Sequence, residues 1–393
     1  MKNIIVVGGG AGGLILANSL DTNEYNITVF DKSRVHFYQP WYLYVAFKGS
    51  KRKIWRNIDE LIKPGIKFVN EAIGEINLNE RYVLTKSNKK FSYDYLVVAT
   101  GITPDPYEIP GLEILTEKYG NYHSNIENAR KVFTNLENFK GGTIVLGQAP
   151  GMYYKCPPSF LEGIFLIEEY LRKRGLKDKT KLVFISPYER AYPAENMDKI
   201  LKPLIEERNI EVHTSFNLES VDPENKILKS MEGESLKYDF PIIAPPFRGA
   251  KDIKYYPENI VNEEYYIKAD KYTMKIKGFD DAFAIGDVNS IPTSKTGVTA
   301  HLEAKVVVDI INGWESKYDG RYNCPFDVGY GMGTFVIADY NHPVVPYPPT
   351  KFKYFLKMTM ADIYWHVLKG YVDFSFDIYF NYTKPERLLK IYK

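Results

Sequence analysis

Two apolar runs of strand length, each ending in glycine, predict an α/β fold with two Rossmann-like, dinucleotide-binding-type domains in tandem. The first is Ile4-Ile5-Val6-Val7 running into Gly8-Gly9-Gly10-Ala11-Gly12-Gly13; the second is Thr143-Ile144-Val145-Leu146 running into Gly147. A third run, Ala282-Phe283-Ala284-Ile285, ends in Gly286-Asp287 and returns the chain to its first unit. Apolar strand, glycine turn and helix together make the βα unit of parallel sheets. At 393 residues the chain exceeds one core's worth. The expected division is a discontinuous nucleotide-binding domain (1–104 and 271–335), a second Rossmann-like domain (105–270) and a C-terminal segment (336–393).

In the first unit Gly8, Gly10 and Gly13 have the G-x-G-x-x-G spacing, and residues 14–20 continue as a helix. The first glycine permits a tight turn, the second lets backbone approach a pyrophosphate, and the third lets helix pack on strand. The helix then offers free N–H groups to phosphate. Residues 27–30 form the next strand and end at Asp31, where a carboxylate can accept hydrogen bonds from an adenosine ribose. The aromatic loop 36–41, with Pro40, suits a wall for a flat ring or an ordinary packed loop. Residues 93–99 read as a buried strand closing at Thr100-Gly101, and Pro104, Pro106 and Pro110 mark a linker.

The second unit repeats the strand, but its glycine motif decays. Gly147-Gln148-Ala149-Pro150-Gly151 lacks the full spacing, and Cys156-Pro157-Pro158 stands where a nucleotide-binding helix would begin. A helix over 160–174 carries Glu162, which reads as a proton shuttle or as an ordinary first-turn acid. The strand 182–185 ends at Ser186, with no acid for a ribose. Residues 210–227 read as a strand pair, and 240–246 close the unit.

Composition narrows the function. Apolar residues at 45% and charged residues at 25% fit a folded globular protein, and a net charge of +2 argues against nucleic acid as a partner. The chain starts directly into a strand, which predicts no secretory leader, and no run of 18 or more apolar residues predicts a membrane span. The two cysteines, Cys156 and Cys324, are too few for a disulfide scaffold or a zinc cluster. They are incidental core residues or a redox pair. The six histidines are dispersed, and His301 reads as a helix-packing residue.

After Gly286-Asp287, Lys295-Thr296-Gly297 opens a helix over 298–313. The tail differs in character. Residues 352–370 are apolar on most faces, punctuated by Lys353, Lys357 and Lys369, which suits a helix lying in a membrane interface. Residues 372–381 alternate Val372, Phe374, Phe376, Ile378 and Phe380 with polar neighbours, a strand-like spacing. Packing of this tail on its own domain, or on a second copy in a homo-oligomer, is the other reading.

These residues resemble a family. The set Gly8-x-Gly10-x-x-Gly13, Ala99-Thr100-Gly101, Gly286-Asp287 and Lys295-Thr296-Gly297 is similar to the two-dinucleotide-fold flavoproteins. Cys156-Pro157-Pro158 with Glu162, Cys324-Pro325 before Gly329, and the aromatic tail look like sulfide:quinone oxidoreductases. Flavocytochrome c sulfide dehydrogenases and type II NADH dehydrogenases are neighbours. The resemblance implies FAD held by Gly8, Gly10, Ala11, Gly13, Asp31 and Lys32. Pro40, Thr100 and Gly101 would line the flavin, Gly286 and Asp287 would reach the ribityl or pyrophosphate oxygens, and Lys295, Thr296 and Gly297 would face the flavin edge. It implies that Cys156 and Cys324 meet beside the flavin as the redox pair, with Glu162 moving protons, and that sulfide is oxidised to polysulfide while quinone takes two electrons at a peripheral, monotopic membrane site. Many members carry a third cysteine before the second unit; here His123-Ser124 stands in its place, which implies a non-covalent FAD. A non-enzymatic flavoprotein-derived binding module, with incidental cysteines, is the remaining alternative.

Overall fold

A computed structural model describes residues 1–151 and 153–392. Its first sheet is all parallel, in the order Ala282–Ala284, Tyr95–Val98, Lys2–Val7, Tyr25–Phe30, Lys67–Val69. Residues Ile4, Ile5, Val6 and Val7 are all buried, as a central parallel strand covered on both faces requires. The helices Ala11–Ser19 and Gly297–Ile311 pack on each other beside this sheet. Residues nearly 300 positions apart therefore begin neighbouring helices.

The second sheet is also parallel, in the order Ile210–His213, Thr180–Ile185, Gly142–Gln148, Phe240–Ala244. The helix Ser159–Lys173 packs against it, with Ile164, Phe165 and Ile167 buried. Each sheet has its own extended apolar core. Thr103–Pro104 pairs with Phe247–Arg248. The hairpin Tyr322–Asp327/Gly333–Ala338 follows, and the helices Lys351–Leu368 and Asp373–Tyr382 end the chain with a short turn at Pro385–Leu388. The tandem α/β architecture is the one expected.

Two local expectations fail. Residues 210–227 are not one strand pair. Ile210–His213 joins the parallel sheet, while Leu218–Asp222 pairs with Ile227–Ser230. The alternating segment after residue 371 is a helix, Asp373–Tyr382. A period of two also contains every fourth residue, and Phe376 and Phe380 use that spacing to bury together, their rings 5.6 and 6.1 Å from the His301 ring.

The C-terminal lysines also turn out differently. Residues 353, 357, 361, 365 and 368 form one inward face of Lys351–Leu368, so Lys353 and Lys357 point into the protein while Phe352 and Phe355 point to solvent. Among the described residues no helix is long and apolar enough to cross a membrane.

Candidate active site

A cavity of about 990 Å³ is bounded by the first glycine turn, the start of Gly297–Ile311, both cysteines and the C-terminal helices. The glycines of that turn have distinct duties. At Gly8, φ is +114° and a Cβ would lie 2.3 Å from the Ala99 carbonyl oxygen; at Gly13 it would lie 2.0 Å from the Gly8 carbonyl oxygen. The protein's own packing requires both. At Gly10 the nearest atom to a Cβ is 3.9 Å away, and at Gly297 none lies within 4 Å. Two helix N-termini therefore open onto room rather than onto protein, the arrangement that receives a phosphate-bearing ligand.

The remaining expected residues Ala11, Lys32, Pro40, Thr100, Gly101, Gly286, Asp287 and Thr296 lie in the cavity wall; Gly13 stands behind it. Asp31 Oδ2 accepts from the Gly9 amide (2.7 Å) and Oδ1 from the Ser33 amide (2.7 Å), fixing the turn from the next strand. Burial holds its carboxyl above the usual range. His36 Nδ1 donates to the Gly9 carbonyl (3.0 Å) and Nε2 accepts from the Tyr364 hydroxyl (2.7 Å), so the aromatic loop ties the turn to the C-terminal helix. An open cradle joined to a long cavity fits FAD.

Lys295 is fully inside. Its Nζ donates to the Asn289 carbonyl (2.6 Å) and Oδ1 (2.8 Å) and lies 4.6 Å from the Tyr153 ring centre. Asn289 Nδ2 also donates to Glu303 (2.9 Å), which accepts from the Gly286 amide (2.6 Å). Burial pushes Lys295 down and Glu303 up.

Cys156 and Cys324 come together with Sγ atoms 3.9 Å apart. That exceeds a disulfide bond, about 2.05 Å, and is the contact distance of two thiols. Cys156 adopts φ +52°, a left-handed conformation unusual for a non-glycine residue and typical of functional sites. Its amide donates to the Lys295 carbonyl (2.8 Å), and its carbonyl accepts from the Ser159 amide (2.9 Å), so the strained turn is pinned on both sides. Cys324 sits on the hairpin strand; its contact with Cys156, and then burial, raises its thiol well above the ordinary value.

Glu162, 2% exposed, shares the cavity wall with both cysteines. Its Oε1 receives the Lys357 ammonium and the Asp327 amide (2.6 Å). Burial raises the Glu162 carboxyl against the pull of Lys357. For Lys357, burial is outweighed by Glu162 and Asp327, and its ammonium is held above the ordinary value. Sequence reading missed Lys357, placing it on a membrane helix, although its place in the four-residue series Lys353, Lys357, Ala361, Trp365 carried the signal. It also missed Lys155, next to Cys156 in the wall and lowered by burial against Asp287 and Cys156, and Asp327. At the place of the third cysteine, His123 Nε2 meets Ser159 Oγ at 2.8 Å, and burial pushes the imidazole down to about 3.

The second glycine segment takes no part. The cavity wall holds residues 7–12 but none of 147–151. A Cβ at Gly147 would lie 2.3 Å from the Ile185 carbonyl oxygen, which accounts for that glycine by strand packing. Ser186 Oγ donates to the Arg190 carbonyl (2.8 Å), and the Tyr154 and Tyr188 rings pack 5.9 Å apart nearby.

Fold and site together define a flavin-type oxidoreductase built on two dinucleotide folds, and residues 2–147 match the pyridine nucleotide-disulphide oxidoreductase family model. Within that class the resemblance is to sulfide:quinone oxidoreductases. The mitochondrial sulfide:quinone oxidoreductase of Dictyostelium discoideum is 29% identical over 94% of this chain and 86% of that protein. The X-ray structure of the sulfide:quinone oxidoreductase from Aquifex aeolicus superposes with a TM-score of 0.84 at 22% identity, covering 98% of this chain and 96% of the other. A type II NADH:quinone oxidoreductase from Staphylococcus haemolyticus is 25% identical over 79% of this chain and 83% of its own length.

Proposed function

We propose that the chain is a sulfide:quinone oxidoreductase in which Cys156 and Cys324 are the redox pair. The observation that carries this reading is the 3.9 Å approach of the two sulfurs in the wall of the cavity that also holds the glycine cradle. In the oxidised protein the cysteines form a disulfide. Hydrosulfide attacks one sulfur, the S–S bond breaks, and one cysteine becomes a persulfide while the other leaves as thiolate. Rejoining persulfide and thiolate as a three-sulfur bridge releases two electrons and one proton, and further sulfide lengthens the chain to polysulfide. FAD, held non-covalently along the cavity, supplies the two-electron acceptor between this pair and the quinone. Lys155 and Lys357 stabilise thiolate, the reactive form. Glu162 takes the proton.

The same reading gives the tail its role. Phe352, Phe355, Tyr371 and Tyr382 are 61% to 72% exposed, apolar and aromatic side chains that suit a peripheral membrane contact. On the Lys351–Leu368 helix, Met360, Tyr364 and Val367 line the cavity and offer quinone an apolar approach. A type II NADH dehydrogenase is disfavoured because the cavity avoids residues 147–151 and Ser186 replaces the ribose acid.

Anaerobic titration with sulfide, followed by decylubiquinone, tests this. Sulfide should bleach the flavin absorbance, and quinone should restore it. Cys156→Ser and Cys324→Ser should each retain flavin and lose bleaching by sulfide. Fast bleaching by NADH but not by sulfide would overturn the proposal.

A further inference from the structure

We propose that residues 51–56 form a docking site for anionic phospholipid headgroups, set beside the exposed phenylalanines of the Lys351–Leu368 helix. The inference deepens the peripheral membrane reading of that helix and rests on it. In Lys51-Arg52-Lys53-Ile54-Trp55-Arg56 the chain carries four cations and no acid, although its net charge is only +2.

The segment is fixed to the fold on both sides. Ser50 Oγ accepts from Trp41 Nε1 (2.8 Å), and Ile54 is 1% exposed, its carbonyl accepting from the Tyr38 amide (2.8 Å). The strand Trp55–Asn57 pairs antiparallel with Val35–Phe37, whose three residues lie in the cavity wall. One cation ties the segment to the C-terminal helix: Arg52 donates to the Ala361 carbonyl (3.0 Å) and pairs with Asp362 (2.8 Å). Residues 352, 355, 359, 362 and 366 recur at the spacing of one helix face, and Phe352, Phe355, Asp362 and His366 are exposed. The Arg52–Asp362 pair therefore sets the basic segment against the side of the helix that carries the two phenylalanines.

The other three cations are left without a carboxylate. Lys51 and Lys53 are exposed, and among the described residues neither they nor Arg56 form an ion pair. Lys53 Nζ lies 4.2 Å from the Trp55 ring centre, and the Arg56 guanidinium lies 5.1 Å from that of Trp365. Trp55 is 38% exposed, an amphipathic ring of the kind that sits at the headgroup level of a bilayer. Unpaired like charges in so short a span repel one another, and an anionic surface relieves that repulsion. A bilayer supplies the whole complement. Its phosphates meet the ammonium and guanidinium groups, and its interface takes in the indole and the neighbouring phenylalanines.

The test is cosedimentation of the flavin-loaded full chain with vesicles of phosphatidylcholine alone or mixed with phosphatidylglycerol. A cation near an anionic surface is worth about fivefold in affinity. The wild type should bind the anionic vesicles at least about tenfold more tightly than the neutral ones, and added salt should erode the difference. Lys51→Gln combined with Lys53→Gln should lose at least about tenfold on anionic vesicles and keep wild-type binding to neutral ones. Adding Arg56→Gln should abolish the preference; if that triple variant does not fold, the two exposed lysines carry the test. Equal wild-type binding to both kinds of vesicle, or a preference that the double lysine variant retains, overturns the site. So does a change of oligomer size without a change in vesicle binding, which would make the segment a contact between copies. If Phe352→Glu with Phe355→Glu abolishes binding while the lysine variants keep the preference, the aromatic contact stands and the headgroup site falls. A wild type that binds neither kind of vesicle removes the membrane reading and the headgroup site together. Bleaching by sulfide should be unchanged in the lysine variants; its absence in the wild type would remove the sulfide reading alone.

Discussion

At the scale of single residues, the first glycine motif separates into positions that fold the chain and positions that leave room for a ligand. Gly13→Ala would place a Cβ 2.0 Å from a backbone oxygen, so it should cost about 1–3 kcal/mol or more through overpacking, in apoprotein and holoprotein alike. Gly10→Ala meets nothing closer than 3.9 Å. The apoprotein should lose about 1 kcal/mol at most, the scale of a changed N-cap, while retained flavin falls sharply. Thermal melts of the apoproteins and the flavin absorbance of the purified chains check this; equal loss of stability in both variants would contradict it. The spacing of the motif was legible from sequence, but the division of labour was not, because it depends on where Ala99 and Gly8 carbonyls lie. For the cysteines, likewise, their setting in proline turns was visible and their 3.9 Å approach was not.

At the scale of elements, strands buried on both faces were the most legible, because an all-apolar run such as residues 4–7 has few other uses. The C-terminal helix was legible in kind and misread in orientation. Lysines in an apolar helix suggest a polar face, but Lys353 Nζ donates to the Pro348 carbonyl just before the helix, and Lys357 pairs with Glu162, a partner distant in sequence. The segment after it was misread because alternation and a four-residue period share positions 376 and 380. The corrected orientation leaves Phe352 and Phe355 exposed on one helix, and this predicts their effect. A phenylalanine moved from water into an apolar phase gains about 1.5–3 kcal/mol. Phe352→Glu combined with Phe355→Glu should therefore weaken cosedimentation with liposomes by at least about tenfold, with bleaching by sulfide unchanged. Undiminished liposome binding would remove the membrane role from this face.

At the scale of the whole molecule, two neutral histidines join parts of the chain that are distant in sequence, and they make folding sensitive to acid. His36 links the first glycine turn to Tyr364, and His123 links the segment before the second sheet to Ser159. Burial pushes His36 down to about 4 and His123 down to about 3, from an ordinary 6.5. Unfolded chains take up protons on these groups below pH 6.5, whereas the folded protein resists until pH 4 or lower. Their contribution is therefore complete above pH 6.5 and is lost as pH falls through the window down to about 4. At about 1.4 kcal/mol per unit, His36 accounts for about 3 kcal/mol of that loss. Buried Asp31 and Asp287 are shifted upward by burial and act in the opposite sense, favouring the folded state as they protonate, but only near and below the carboxylate range. Between pH 7.5 and 5.5 the two histidines lower stability, and Glu303, which burial raises to about 7, opposes them in part. Urea unfolding midpoints measured across that interval should fall for the wild type, and His36→Asn should flatten the dependence even where it lowers the midpoint at pH 7.5. A wild-type slope retained in both His36→Asn and His123→Asn would assign the acid sensitivity to other groups.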